Sequence, residues 1–278
     1  MQPLEWRLYE AGYCTHPELA TRRGGSLQPC QFPALVALLR HPRQGWILFD
    51  TGYSEHFISA TAALPERLYR VVTPVYLRPQ DNLAAQLRAD GIAPADIAWI
   101  VLSHLHGDHV GGLADFPHAR VLCAGQALDE QARRGRIGNL RLGQLPALLA
   151  PVAGRIERME TRAALALPAP FHEFGQARDL FGDGSLLAVP LPGHAAGHHG
   201  LLFQDSRGPV LLVADASWSS QSIIDNTPPP ALVTAWLGDT AQYRQTLARL
   251  HRLHLAAPEV RIVPAHCGRW RPRHETRA

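Results

Sequence analysis

The run Ser103-His104-Leu105-His106-Gly107-Asp108-His109 constrains this chain more than any other feature. It follows directly on an apolar segment, Ala98-Trp99-Ile100-Val101-Leu102. Few structural needs call for three imidazoles and one carboxylate packed at the end of a buried strand. Histidines and aspartates converging in this way hold two divalent cations close together. Two such cations sharing a water hydrolyse esters, amides and phosphodiesters. The fold must then bring further donors to the same place.

The sequence repeats the arrangement. Apolar strands end at Leu102 before His104, at Leu191 before His194, at Val213 before Asp215 and at Val263 before His266. Alpha/beta folds build sites in this manner, because rigid strands deliver side chains to one edge. Residues 34–39 and 46–49 flank a turn at Pro42-Arg43-Gln44-Gly45 and read as a hairpin. Residues 121–124 and 185–190 read as strands, residues 201–203 and 210–213 as a second hairpin, and residues 260–263 as the last strand. Helical spacing marks residues 82–90 and 240–254. Residues 54–79 read as a short helix and an ordered loop, and residues 126–162 as broken helices outside the core. With no repeat, low-complexity tract or linker, residues 1–278 read as a single domain.

Composition narrows the partners. The net charge is +3 with both signs interspersed, which argues against nucleic acid and against a membrane surface. No apolar run approaches the length of a membrane span. The start, Met1-Gln2-Pro3-Leu4-Glu5-Trp6, has no basic opening and no apolar core of a signal peptide. Cys14, Cys30, Cys123 and Cys267 form no metal or redox spacing and read as reduced thiols, so a cytoplasmic location is expected.

The order His104-x-His106-x-Asp108-His109, then His194, Asp215 and His266, closely resembles the metallo-β-lactamase superfamily. Pro192-Gly193-His194-Ala195-Ala196-Gly197-His198 and Ala214-Asp215-Ala216 strengthen the match, which runs from the Asp50-Thr51-Gly52 turn to the last of these histidines. The resemblance implies an α/β fold, the αβ/βα sandwich: two mixed β-sheets face to face, helices on the outer faces, metals in a cleft at one edge. By position it implies His104, His106 and His194 on one metal, Asp108, His109 and His266 on the other, and Asp215 bridging both. Zinc suits this donor set best, and iron or manganese would also be accepted. Asp108 and Asp215 are then also catalytic candidates, with a metal-bridging hydroxide as nucleophile. Cys267 follows His266, and in an extended segment its side chain points away from the site. Asp50 either orients a ligand histidine through the ring nitrogen that does not face metal or caps the Thr51-Gly52 turn. His198 reads as structural. His199, His16, His41, His56, His118, His172, His251, His254 and His274 read as ordinary surface or core histidines.

Within the superfamily, Asp215 argues against true zinc β-lactamases, which generally lack the bridging aspartate. The short stretch after His266 argues against thioesterases with a helical C-terminal domain. No flavodoxin-like or RNA-binding extension is visible. The branch most resembled is the quorum-quenching N-acyl homoserine lactone lactonases, through residues 45–53, 93–97 and 180–184 and Asp215-Ala216-Ser217. This implies a metal-dependent hydrolase opening a small lactone or carboxylic ester, and a homodimer. The alternatives are a small-molecule phosphodiesterase or thioesterase on the same metals, or a binding member with little turnover. Those lactonases commonly carry a tyrosine three residues after the bridging aspartate, where this chain has Trp218. An indole donates a hydrogen bond but gives up no proton, so leaving-group protonation passes to Asp215 or water. Trp218 is a third catalytic candidate, either steadying an oxyanion or forming an apolar wall, and is expected to shape the acyl side of the pocket. Phe57, Leu64, Leu68, Tyr69, Val72 and Tyr76 are candidates for an apolar acyl channel, a core or a dimer face.

Overall fold

The computed structural model describes residues 2–272. Met1 and residues 273–278 lie outside it, and so does His274. Among the described residues, thirteen strands form two sheets. The first contains β1 (Glu5–Pro17), β2 (Pro29–His41), β3 (Gly45–Phe49), β4 (Val75–Tyr76), β5 (Ile97–Val101), β6 (Arg120–Cys123) and β7 (Ile156–Arg158), in the order β4-β1-β2-β3-β5-β6-β7. The second contains β8 (Ala163–Ala166), β9 (Gln176–Asp179), β10 (Leu186–Pro190), β11 (His199–Asp205), β12 (Gly208–Ala214) and β13 (Arg261–Pro264), in the order β13-β12-β11-β10-β9-β8.

Alternation along the strands explains the layers. Leu39, Ile47, Phe49, Trp99, Val101 and Leu122 pack with Leu186, Leu201, Phe203 and Leu212 between the sheets. Their neighbours Leu38, Leu48, Ile100 and Val121 face outward against Leu83, Leu87, Leu105 and Leu113. On the second sheet Leu187, Val189, Leu202 and Leu211 face outward against Tyr243, Leu247, Leu250 and Leu253 of the helix Thr240–Ala256. Both faces of each sheet are thus covered, so the central strands read as unbroken apolar runs. This is the αβ/βα sandwich.

Pairing sets the direction in which the strands deliver their ends. β3, β5 and β6 run parallel. β10 and β12 both pair antiparallel with β11, and β13 runs parallel to β12. So β10, β12 and β13 point the same way, and each is followed at once by a donor residue. Backbone bonds stitch the sheets together at that edge: His199 N–H to Ser103 C=O at 3.0 Å and Leu35 N–H to Ala265 C=O at 3.0 Å.

Five strands are absent from the sequence reading: β1, β4, β7, β8 and β9. β1 hides because its register with β2 shifts between Glu10 and Tyr13, which breaks the alternation. Residues 54–79 hold two helices, Glu55–Ala60 and Arg67–Val72, and then β4, instead of one helix and a loop. The broken helices of residues 126–162 are present, but the segment ends in β7, paired parallel to β6. No helix among the described residues is long and apolar enough to cross a membrane.

The Pro192-Gly193 turn is clamped to the start of the helix Thr240–Ala256. Asp239 N–H donates to Gly193 C=O at 2.8 Å, and Thr246 Oγ1 donates to Pro192 C=O at 2.6 Å. Gly193 has φ +129°, and a Cβ there would lie 2.1 Å from Tyr243 N. Both obstacles are backbone, so neither yields by a rotamer change. Gly193→Ala is expected to lower stability by about 3 kcal/mol or more in urea unfolding, and to displace His194.

Candidate metal centre

Seven donors from the ends of β5, β10, β12 and β13 meet at the stitched edge. His104, His106, His109, His194, Asp215, His266 and Asp108 are all buried. They form two groups. The donor atoms of His104, His106, His194 and Asp215 lie within 4.8 Å of one another, and so do those of Asp108, His109 and His266. In the first group, His194 Nε2 stands 3.0 Å from His106 Nδ1 and 3.2 Å from Asp215 Oδ2. In the second, His266 Nε2 stands 3.2 Å from Asp108 Oδ2. Asp215 spans the two, with Oδ1 3.2 Å from both His109 Nε2 and His266 Nε2.

The far ring nitrogens explain which nitrogen faces inward. Asp50, at φ +65°, accepts from Ser103 N–H and Ser103 Oγ–H, each at 2.8 Å. It also accepts from His109 Nδ1 at 2.8 Å. With its proton committed to Asp50, Ser103 Oγ accepts from His104 Nδ1 at 2.9 Å. One carboxylate therefore turns Nε2 of two histidines, one in each group, toward the centre. Of the two roles open to Asp50, orienting a ligand histidine is the one it performs. His266 Nδ1 donates to Pro33 C=O at 2.8 Å. His198 accepts from Asp215 N–H at 3.2 Å and holds the backbone of that aspartate. Cys267 Sγ turns away and accepts from Ser220 N–H at 3.3 Å.

The donor set fits cations. His104 Nε2, His109 Nε2 and Asp215 Oδ1 are buried without a hydrogen-bond partner among the described residues. His109 Nε2 and Asp215 Oδ1 lie 3.2 Å apart. Two ligands of one tetrahedral zinc ion stand about 3.3 Å apart. Burial keeps His104 and His194 well below their ordinary pKa and brings His106 down to about 4. Imidazoles of that kind are neutral and ready to ligate. Burial also opposes charge on His109 and His266, but the carboxylates of Asp108 and Asp215 overcome it and raise both well above the usual value. Asp108 is lowered to about 2, as His109 and His266 outweigh its burial. The second group demands positive charge, and protons or a cation can supply it.

Trp218 is nine-tenths buried, and its Nε1–H donates to Asp215 Oδ2 at 2.9 Å. Its indole is tied to the carboxylate that spans the two groups. The six candidates for an acyl channel divide. Phe57 is fully buried core, and Tyr76 stacks on Tyr13. Leu64, Leu68 and Val72 are exposed, and Tyr69 packs edge-on against Phe57. Asp50 was a sequence candidate for this role, and Ser103 was not. The only signal for Ser103 was its place between the strand and the first histidine.

The profile of the family described as the metallo-beta-lactamase superfamily matches residues 31–266. The N-acyl homoserine lactonase AttM of Azorhizobium caulinodans is 29% identical over 202 residues, 69% of this chain and 70% of that protein. A solved N-acyl homoserine lactone hydrolase, with the product N-hexanoyl-L-homoserine at its catalytic metal centre, has a TM-score of 0.71 at 19% identity, covering 97% of this chain and 95% of its own. AidC, a dizinc quorum-quenching lactonase, has a TM-score of 0.65 at 18% identity, covering 95% and 88%. Both structures share the fold.

Two outcomes follow from the donor geometry. Asp50→Ala is expected to weaken metal binding about 10- to 100-fold, measured by competition with a chromophoric chelator, while the far-UV circular dichroism is unchanged. Metal loading is expected to release protons, because His109 and His266 hold them in the metal-free protein; apparent affinity therefore falls as pH falls. In the metal-free protein, the stability these two histidines contribute is complete below about pH 6.5 and declines as pH rises through their raised values. That of Asp108 and Asp215 is present above about pH 4 and lost below it. Unfolding midpoints across pH, with and without metal, check both limbs.

Proposed function

The chain belongs to the metallo-beta-lactamase superfamily as a metal-dependent hydrolase, and we propose that it opens lactones or related carboxylic esters of the acyl homoserine lactone type. The observation that carries this reading is Asp215, whose carboxylate stands 3.2 Å from His194 of one group of buried donors and from His109 and His266 of the other. His104, His106 and His194 would hold one divalent cation, Asp108, His109 and His266 a second, and Asp215 would reach both. Zinc is the metal proposed, supported by the imidazole-rich donors and by the dizinc relative AidC. Bound there, the cations supply Lewis acidity toward a carbonyl and acidify a shared water.

The chain's own residues do the rest. Asp50 and Ser103 fix two imidazoles, His198 holds the Asp215 backbone, and Trp218 holds its carboxylate. Leu64, Leu68, Val71 and Val72 stay exposed on and beside the helix Arg67–Val72 and offer an apolar surface to an acyl group. The lactone substrate class is supported by AttM and by the product complex described above. The profile match over residues 31–266 supports a single domain across 1–278.

Paired assays test the reading on an acyl homoserine lactone and on bis(p-nitrophenyl) phosphate. Lactone hydrolysis at least tenfold above phosphodiester hydrolysis in kcat/KM is expected. His106→Ala or Asp108→Ala should abolish it, and a chelator should do so reversibly. Activity persisting in metal-free protein, or phosphodiester turnover alone, refutes the proposal.

A further inference from the structure

Opening an ester leaves an alkoxide oxygen, which departs far more easily if a hydrogen bond stabilises it. Other side-chain donors at this edge are engaged. Trp218 N–H is held by Asp215 Oδ2, and Ser103 Oγ–H by Asp50. Ser217 Oγ–H is held by the Ser219 carbonyl. Tyr53 and Tyr243, both near site carboxylates, are fully buried.

Tyr69 is different. It comes from the helix Arg67–Val72, outside every donor-bearing strand, yet its ring lies directly on the metal-binding loop. Two glycines make the slot. A Cβ on Gly107 would meet Phe57 Cε2 at 2.6 Å and Tyr69 Cε1 at 3.1 Å. A Cβ on Gly143 would stand 3.4 Å from Tyr69 Oη and 3.6 Å from His106 Cδ2, so the phenol oxygen and the His106 ring border one small space. Gly107 N–H donates to Gly143 C=O at 3.1 Å and closes the slot. Phe57 meets the Tyr69 ring edge-on, with centroids 5.3 Å apart. No side chain among the described residues hydrogen-bonds the hydroxyl. The residue as a whole is half-buried, and the Gly107 backbone N–H faces its oxygen.

We propose that Tyr69, seated between Gly107 and Gly143, donates its hydroxyl hydrogen bond to the leaving oxygen of the ester or lactone. This rests on the hydrolase reading above. The acyl C–O bond of the substrate breaks, and a new C–O bond forms to the oxygen of water. One proton of that water ends on the departing oxygen, and the other is released with the carboxylate product. Nothing is oxidised or reduced, and Tyr69 remains a phenol throughout.

The test compares wild type with Tyr69→Phe, which keeps the ring and its packing. The substrates are a γ-lactone with an alkoxide leaving group and a p-nitrophenyl ester of the same acyl chain, whose phenolate departs without help. The expected loss in kcat is about 10- to 100-fold on the lactone and under about threefold on the p-nitrophenyl ester. KM and bound metal should be unchanged. The ratio of the two rates does not depend on the fraction of protein folded. Equal losses on both substrates, or no loss on either, overturn the inference while leaving the hydrolase reading intact. Wild-type protein inert toward both substrates defeats that reading, and this inference with it.

Discussion

A carboxylate that is fully buried between two groups of imidazoles cannot stand alone. Asp215 faces His194 on one side and His109 and His266 on the other, each at 3.2 Å. Taking an anion out of water is costly unless positive charge accompanies it. The surrounding histidines answer unequally. Those beside the second carboxylate, Asp108, are pushed toward the protonated form, while His104, His106 and His194 stay neutral. A centre with one neutral half and one proton-hungry half is poised to exchange protons for cations.

That arrangement needs both sheets. His266 arrives on β13, yet its ring is aimed by the Pro33 carbonyl of β2 in the opposite sheet. His109 follows β5, yet its ring is aimed by Asp50 at the end of β3. The left-handed backbone at Asp50 is part of the device, since such a conformation costs a non-glycine residue energy. Its carboxylate recovers that cost by satisfying the Ser103 backbone, the Ser103 hydroxyl and one imidazole together. The sandwich is thus held at its reactive edge by the same bonds that choose which nitrogen each histidine presents.

Much of this was legible before any coordinates. The donors follow buried strands whose apolar runs are unambiguous, and their spacing is unusual enough to exclude chance. What escaped has physical causes. β1 is long, but its bulge breaks the period. β8 is Ala-Ala-Leu-Ala and exposed along its whole length, so it shows no alternation of apolar and polar residues. The role of Asp50 was open because an aspartate before Thr-Gly serves a turn or a histidine equally well, and only the fold brings residue 109 beside residue 50. The destination of the Trp218 N–H was illegible because the neighbouring Asp215 has two oxygens, and sequence does not say which one is spare.

On the proposed reading, Trp218 and Tyr69 divide metal binding from substrate handling. An indole N–H bound to the spanning carboxylate fixes the site but leaves nothing for the substrate. A phenol delivered from a separate short helix is free of that duty, because its packing partner is Phe57 and its neighbours Leu68, Val71 and Val72 are exposed. Residue 218 touches Asp215 directly, whereas Tyr69 meets the donor loop only through Gly107 and the space beside His106. The glycine inside the metal motif belongs to the same division: any side chain at 107 would occupy the space that Phe57 and Tyr69 fill. The helices after Ser54 and the metal-binding loop are therefore mutually fitted, although the sequence places them far apart.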